Sequence, residues 1–166
     1  MGGHILHHPF SLIATPWVVA MNRIVHITPH FAVTGALQPD DFPQAAALGF
    51  RSIVSNLPDG ESQVHPTSQQ EAQLAADAGL GFRHIPVTKA EVFSDRVVGG
   101  TAKALSELEG PILAHCASGL RSAIAWAAAA ARGQPVDAVL AKLAAAGFNL
   151  EPLRADLDDQ HVKGGV

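Results

Sequence analysis

The chain has 166 residues, of which 48% are hydrophobic, with a net charge of −4 and a single cysteine. That length suits one domain with a full core, and the acidic balance excludes nucleic acid as the main partner, because backbone-phosphate binding needs clustered cations. One cysteine excludes an internal disulfide, which fits a reducing, cytoplasmic setting.

In chain order, residues 1–21 read as an N-terminal extension. The apolar run from Ser11 to Ala20 is too short to span a bilayer, so no membrane association is expected. The histidines before it lack the Lys or Arg of a signal-peptide n-region. His4, His7 and His8 could chelate, but the nine histidines are scattered, and neither a metal nor a cofactor is expected. Phe31 to Thr34 predicts a strand. Pro39, Asp40 and Asp41 then open a helix that stops at Gly49. Arg51 to Asn56 predicts a second strand running into the turn Leu57-Pro58-Asp59-Gly60-Glu61. Ser68 and Glu71 read as a capping box for a helix ending near Gly79. Phe82 to Val87 is a third strand. Ser94 caps a helix over about 95–109, closed by Gly110-Pro111.

The next stretch organises the rest. Ile112 to Ala114 reads as a short buried strand ending at His115 and Cys116. Ala117, Ser118, Gly119 and Leu120 lead to Arg121 and Ser122, and an apolar, central helix follows to Ala131. Strand, tight loop and helix build an anion site, because loop amides and the positive helix end face inward. Those amides, the dipole and Arg121 all favour a thiolate at Cys116. Cys116 is therefore the expected nucleophile and Arg121 its anion-holding partner. Residues 117–120 and Ser122 form the anion-binding loop, with Ser122 bonding the thiolate and His115 fixing the loop from behind. Pro135 starts a further helix ending at Gly147, and residues 151–166 read as a short C-terminal helix over 151–157 and a tail.

Strands alternating with helices predict an α/β fold: a mainly parallel sheet of four to five strands with helices on both faces. Residues 22–150 form the domain. Ligands in such sheets lie beyond the carboxyl ends of the strands, which brings Asn56, Asp59, Glu61, Lys89 and Glu91 towards Cys116. A solvated loop position is the simpler reading of each.

His115-Cys116 through Arg121-Ser122 resembles the signature of cysteine-dependent protein phosphatases, and the element order resembles the small dual-specificity phosphatase fold. More closely, residues 22–150 resemble the phosphatase-like domain of bacterial beta-lactamase-hydrolase-like proteins. The similarity rests on Thr28-Pro29, the Gly35 turn, Pro58-Asp59-Gly60-Glu61, His84-Ile85-Pro86-Val87 and the Cys116 loop. That domain occurs alone or joined to a persulfide dioxygenase, so the resemblance implies a possible dioxygenase partner in trans.

Two departures shape the expected chemistry. The phosphatases that the loop resembles place arginine six positions after cysteine, whereas here 121 − 116 = 5. One residue fewer removes one amide and up to roughly 3.5 Å of chain. The loop is in this respect similar to that of rhodanese sulfurtransferases, Cys-x-x-Gly-x-Arg. The loop after the third strand also has no Asp before Asp95 to protonate a leaving alcohol, and Glu91 is a poor substitute. The sequence-based expectation is thus a sulfurtransferase that passes a sulfane sulfur through a Cys116 persulfide to a thiol or other small acceptor. The alternatives are a phosphomonoester phosphatase using the same Cys116 and Arg121, and a non-catalytic anion-binding module. The ligand in each case is a small sulfur-containing or phosphate-like anion.

Overall fold

The computed structural model describes residues 23–165; the expected extension, residues 1–21, lies outside the described residues. In chain order the elements are β1 (Val25–Thr28), β2 (Phe31–Thr34), α1 (Asp41–Ala47), β3 (Ser52–Ser55), α2 (Ser68–Asp77), β4 (Gly81–His84) and a 3-10 turn (Lys89–Glu91). Then come α3 (Asp95–Glu107), β5 (Ile112–His115), α4 (Leu120–Ala131), α5 (Val136–Ala145), a second 3-10 turn (Glu151–Leu153) and α6 (Arg154–Lys163).

The five strands lie in the order β1-β2-β5-β3-β4. All pairings are parallel except β1 with β2, an antiparallel pair at one edge that the sequence reading lacks. The sheet divides the core by the period-two rule. Ala32, Ile53 and Leu113 face one way, towards Phe42 and Ala45 of α1 and Ala75 of α2. Val33, Val54, Ile112 and Ala114 face the other way, towards α3, α4, α5 and Leu157 of α6.

Helix α4 lies against this second face, and its residues from Ala125 to Ala131 are all buried. Trp126 stacks on Phe31, ring centroids 6.2 Å apart. The C-terminal helix belongs to the same packing: His161 donates to the Ala131 carbonyl (2.8 Å), and Arg132 Nε donates to Gln160 Oε1 (3.0 Å). The result is a central strand, β5, flanked by β2 and β3, with Thr34, Ser55 and His115 side by side at their carboxyl ends. Cys116 follows directly from that row.

Candidate active site

Cys116 leaves β5 with its N–H donating to the Thr34 carbonyl (3.4 Å), and the residue is fully buried. Ala117 and Ser118 are exposed, and Leu120 is 43% exposed, so the loop forms part of the surface while its sulfur points inward. The turn closes at Gly119, whose φ of +95° is a left-handed conformation that favours glycine. Its N–H donates to Cys116 Sγ (3.1 Å). A side chain at Gly119 would also meet the Thr34 backbone, with Cβ at 3.4 Å from its carbonyl. α4 starts at the next residue. Arg121 therefore stands in the first helical turn, and the dipole of a twelve-residue helix is directed at the sulfur.

Arg121 reaches across the open face. Its Nη1 donates to the Val87 carbonyl (2.6 Å) and to Glu61 Oε1 (2.9 Å), and its Nη2 donates to Glu61 Oε2 (2.6 Å). The Glu61 carboxylate, and to a lesser degree the neighbouring Cys116, hold the guanidinium above its ordinary pKa. Arg121 in turn holds the Glu61 carboxyl below its own.

Behind the loop lies a second layer. His115 Nδ1 accepts the Leu37 N–H (3.3 Å), which leaves Nε2 to carry the ring proton and donate to Glu71 Oε1 (2.5 Å). Ser55 Oγ donates to the other Glu71 oxygen (2.9 Å). His115 and Glu71 are 1% and 2% exposed in their side chains. Nearby, Asp41 accepts the Gln38 N–H through Oδ2 (2.8 Å) and has a buried, unpartnered Oδ1. Burial pushes its carboxyl pKa up.

The remaining expected residues fall in distinct places. Ser122 Oγ donates to Asn56 Oδ1 (2.7 Å) and not to the thiolate as expected, because the first helical turn aims it at the end of β3. Asn56 Nδ2 donates onward to the Ile85 carbonyl (2.8 Å), so Asn56 ties α4 to the segment after β4. Asp59 caps α2, accepting the Ser68 N–H and Oγ (both 2.7 Å). Lys89 is exposed in the first 3-10 turn. Glu91 accepts from Thr88 Oγ1 (2.9 Å) and pairs with Arg96 (3.4 Å), and both partners hold its pKa down. Asn56 and Glu61 thus join the site, while Asp59, Lys89 and Glu91 serve its surroundings.

Glu71 is the residue that sequence reasoning misassigned. The capping box belongs to Thr67 and Gln70, one position earlier than expected, which turns Glu71 inward. Its signal is an acid on the helix face that also carries the buried Ala75, four residues on.

A hollow of about 180 Å³ adjoins the loop between Arg23, Thr34, Gly35 and Ala117. Its far wall, His65, also lines a larger cleft of about 510 Å³ bounded by Gln38, Val64, Gln70 and Leu74. Among the described residues there is no cluster of three or more His, Cys, Asp or Glu able to hold a metal ion, and no helix is long and apolar enough to cross a membrane.

Residues 23–134, more than half of the chain, match the family described as "Beta-lactamase hydrolase-like protein, phosphatase-like domain". A beta-lactamase hydrolase-like protein of Agrobacterium fabrum is 33% identical over 100 residues, 60% of this chain and 23% of that protein. The chain thus spans about a quarter of the length of the curated relatives it matches. Among solved structures, a candidate phosphatase from Neisseria meningitidis is 34% identical with a TM-score of 0.71, covering 83% of this chain and 98% of that one. A second candidate phosphatase, from Shewanella putrefaciens, shares the fold at 18% identity and a TM-score of 0.61, covering 85% and 92%.

These matches overturn the sulfurtransferase expectation: the family and its well-matched structural relative are phosphatase-like. The physical reason lies in where the arginine sits. The missing loop residue would matter if the guanidinium had to follow the loop backbone. Here α4 begins at once after Gly119, and the long Arg121 side chain spans the gap from the first helical turn. A count of five therefore does not select sulfur over phosphate.

Proposed function

Since the chain belongs to the phosphatase-like domain family of beta-lactamase hydrolase-like proteins, we propose that it is a cysteine-dependent phosphatase acting on phosphomonoesters. The observation that carries the reading is the cradle itself: Gly119 N–H at 3.1 Å from Cys116 Sγ, at the head of α4, with the Arg121 guanidinium beside it. A phosphoryl group entering there meets amides and a planar double donor, the partners its oxygens require.

The Cys116 sulfur attacks phosphorus in line. The S–P bond forms as the P–O bond to the leaving group breaks, and Arg121 with the loop amides holds the charge on the equatorial oxygens. Water then attacks the cysteinyl phosphate, S–P breaks, and inorganic phosphate leaves. His115, Glu71, Asn56 and Ser122 position the loop without touching substrate.

The nearby carboxylates of Asp59, Glu61 and Glu91 are all paired. Leaving groups that depart as stable anions suit such a site, so aryl phosphates are the preferred class. A small phosphate-like anion is the ligand this reading needs. A free thiol used as nucleophile suits a reducing, cytoplasmic setting.

Steady-state hydrolysis of p-nitrophenyl phosphate, with mass spectrometry of acid-quenched enzyme, tests the proposal. The expected result is turnover together with a phospho-adduct on Cys116. Anion binding without turnover or adduct would replace it with a non-catalytic binding module.

A further inference from the structure

We propose that Glu61 decides which anions enter the loop: it is the site's resident carboxylate, and an incoming oxyanion must displace it from Arg121. The inference rests on the phosphatase reading for the identity of the incoming group.

Glu61 offers Arg121 two oxygens, on Nη1 and Nη2, at 2.9 and 2.6 Å. That is the forked geometry a guanidinium uses for two oxygens of a phosphoryl group. Carboxylate and substrate therefore compete for the same donors. The pair lies at the rim, with the Glu61 side chain 33% exposed and that of Arg121 15%. The carboxylate can swing into water while Arg121 stays in place, because the Val87 carbonyl holds Nη1 independently at 2.6 Å. The turn that carries Glu61 is anchored at Asp59 on Ser68, and the intervening Gly60 sits at φ +84°.

Charge decides the competition. Glu61 brings one negative charge and is tethered, which gives it a high effective concentration. A free monoanion such as acetate offers Arg121 nothing more and pays for its own immobilisation. A phosphoryl dianion brings more charge and a third oxygen, and that oxygen can use the α4 N-terminus beside the sulfur. Glu61 does not bond it. The loop should accept dianionic oxyanions and refuse carboxylates.

Calorimetric titration of the protein with inorganic phosphate and, separately, with sodium acetate tests this in the native chain, Glu61→Gln and Glu61→Ala. Both variants should bind phosphate about tenfold more tightly, the factor that corresponds to ~1.4 kcal/mol of lost competition. Acetate binding should become measurable in both. Equal or weaker phosphate binding in both variants would overturn the inference and leave Glu61 as a residue that only positions Arg121. Glu61→Ala keeps the test decisive if glutamine still occupies the guanidinium. The two readings fail separately. Tighter phosphate binding in the variants with no hydrolysis by the native chain removes the phosphatase reading alone. Brisk native hydrolysis with unchanged affinities removes the role of Glu61 alone.

Discussion

Truncating Glu71 to alanine should destabilise the domain and slow the chemistry, although Glu71 touches no substrate. The carboxylate accepts from His115 Nε2 at 2.5 Å and from Ser55 Oγ at 2.9 Å. Both are buried, and no other acceptor is bonded to the His115 Nε2 proton. Removing the carboxylate leaves two buried donors, the His115 Nε2–H and the Ser55 hydroxyl, without a partner, at about 1–3 kcal/mol each. At about 2–4 °C per kcal/mol for a chain of this size, the melting temperature should fall by on the order of 10 °C. Glu71→Gln retains an acceptor oxygen for the imidazole and should lose only about 1 kcal/mol. Urea unfolding at neutral pH gives both values from the midpoint and slope. Turnover of an aryl phosphate by the folded fraction should fall in both variants through kcat, because a displaced His115 misplaces the residue that follows it. A Glu71→Ala variant within 1 kcal/mol of the native protein, or indistinguishable from Glu71→Gln, would refute the reasoning.

Three further outcomes are expected. Cys116→Ser should abolish aryl phosphate hydrolysis and the phospho-adduct while retaining the fold by circular dichroism, since a hydroxyl is a far poorer nucleophile at neutral pH. Arg121→Ala should lower kcat/KM by one or more orders of magnitude, the scale of a charge-assisted contact of about 1.5–3 kcal/mol. Asp41→Asn should stabilise the protein by about 1 kcal/mol at neutral pH, because it removes a charge whose Oδ1 is buried without a partner. Burial raises the folded-state pKa of Asp41 above its ordinary value of 3.8, so ionisation penalises the native state only above that value. The advantage of Asp41→Asn should therefore shrink as pH falls from 7 through the folded-state value, and unfolding midpoints at pH 7 and pH 4 check it.

The sequence carries the sheet strands and the loop because local patterns specify them. Ile112 to Ala114 is apolar, and Gly119 and Arg121 stand at fixed offsets from Cys116, so strand, turn and helix head are all readable. The edge strand β1 is written only as the brief alternation Val25-His26-Ile27-Thr28, a minimal four-residue signal that its antiparallel pairing with β2 completes. The last helix extends to Lys163, beyond the 151–157 expected, since its polar sequence hides how Leu157 and Gln160 dock on α4. Within the site, Cys116 and Arg121 follow from spacing. The pairings of Glu61 with Arg121 and of Glu71 with His115 do not, because they join residues 60 and 44 positions apart in sequence and only the sheet brings them together.

The run of alanines in α4 has a consequence beyond packing. An alanine side chain has no rotamer freedom to lose on burial, so Ala127 to Ala131 enter the core without the side-chain entropy loss that leucines there would incur. The same fact leaves the stretch from Ala127 to Ala131 with no side-chain rotamers to exchange once folded. The cradle at the head of α4 is therefore carried on a helix whose buried second half has only backbone freedom. Amides that must already face an oxyanion before it arrives are best held on such a support.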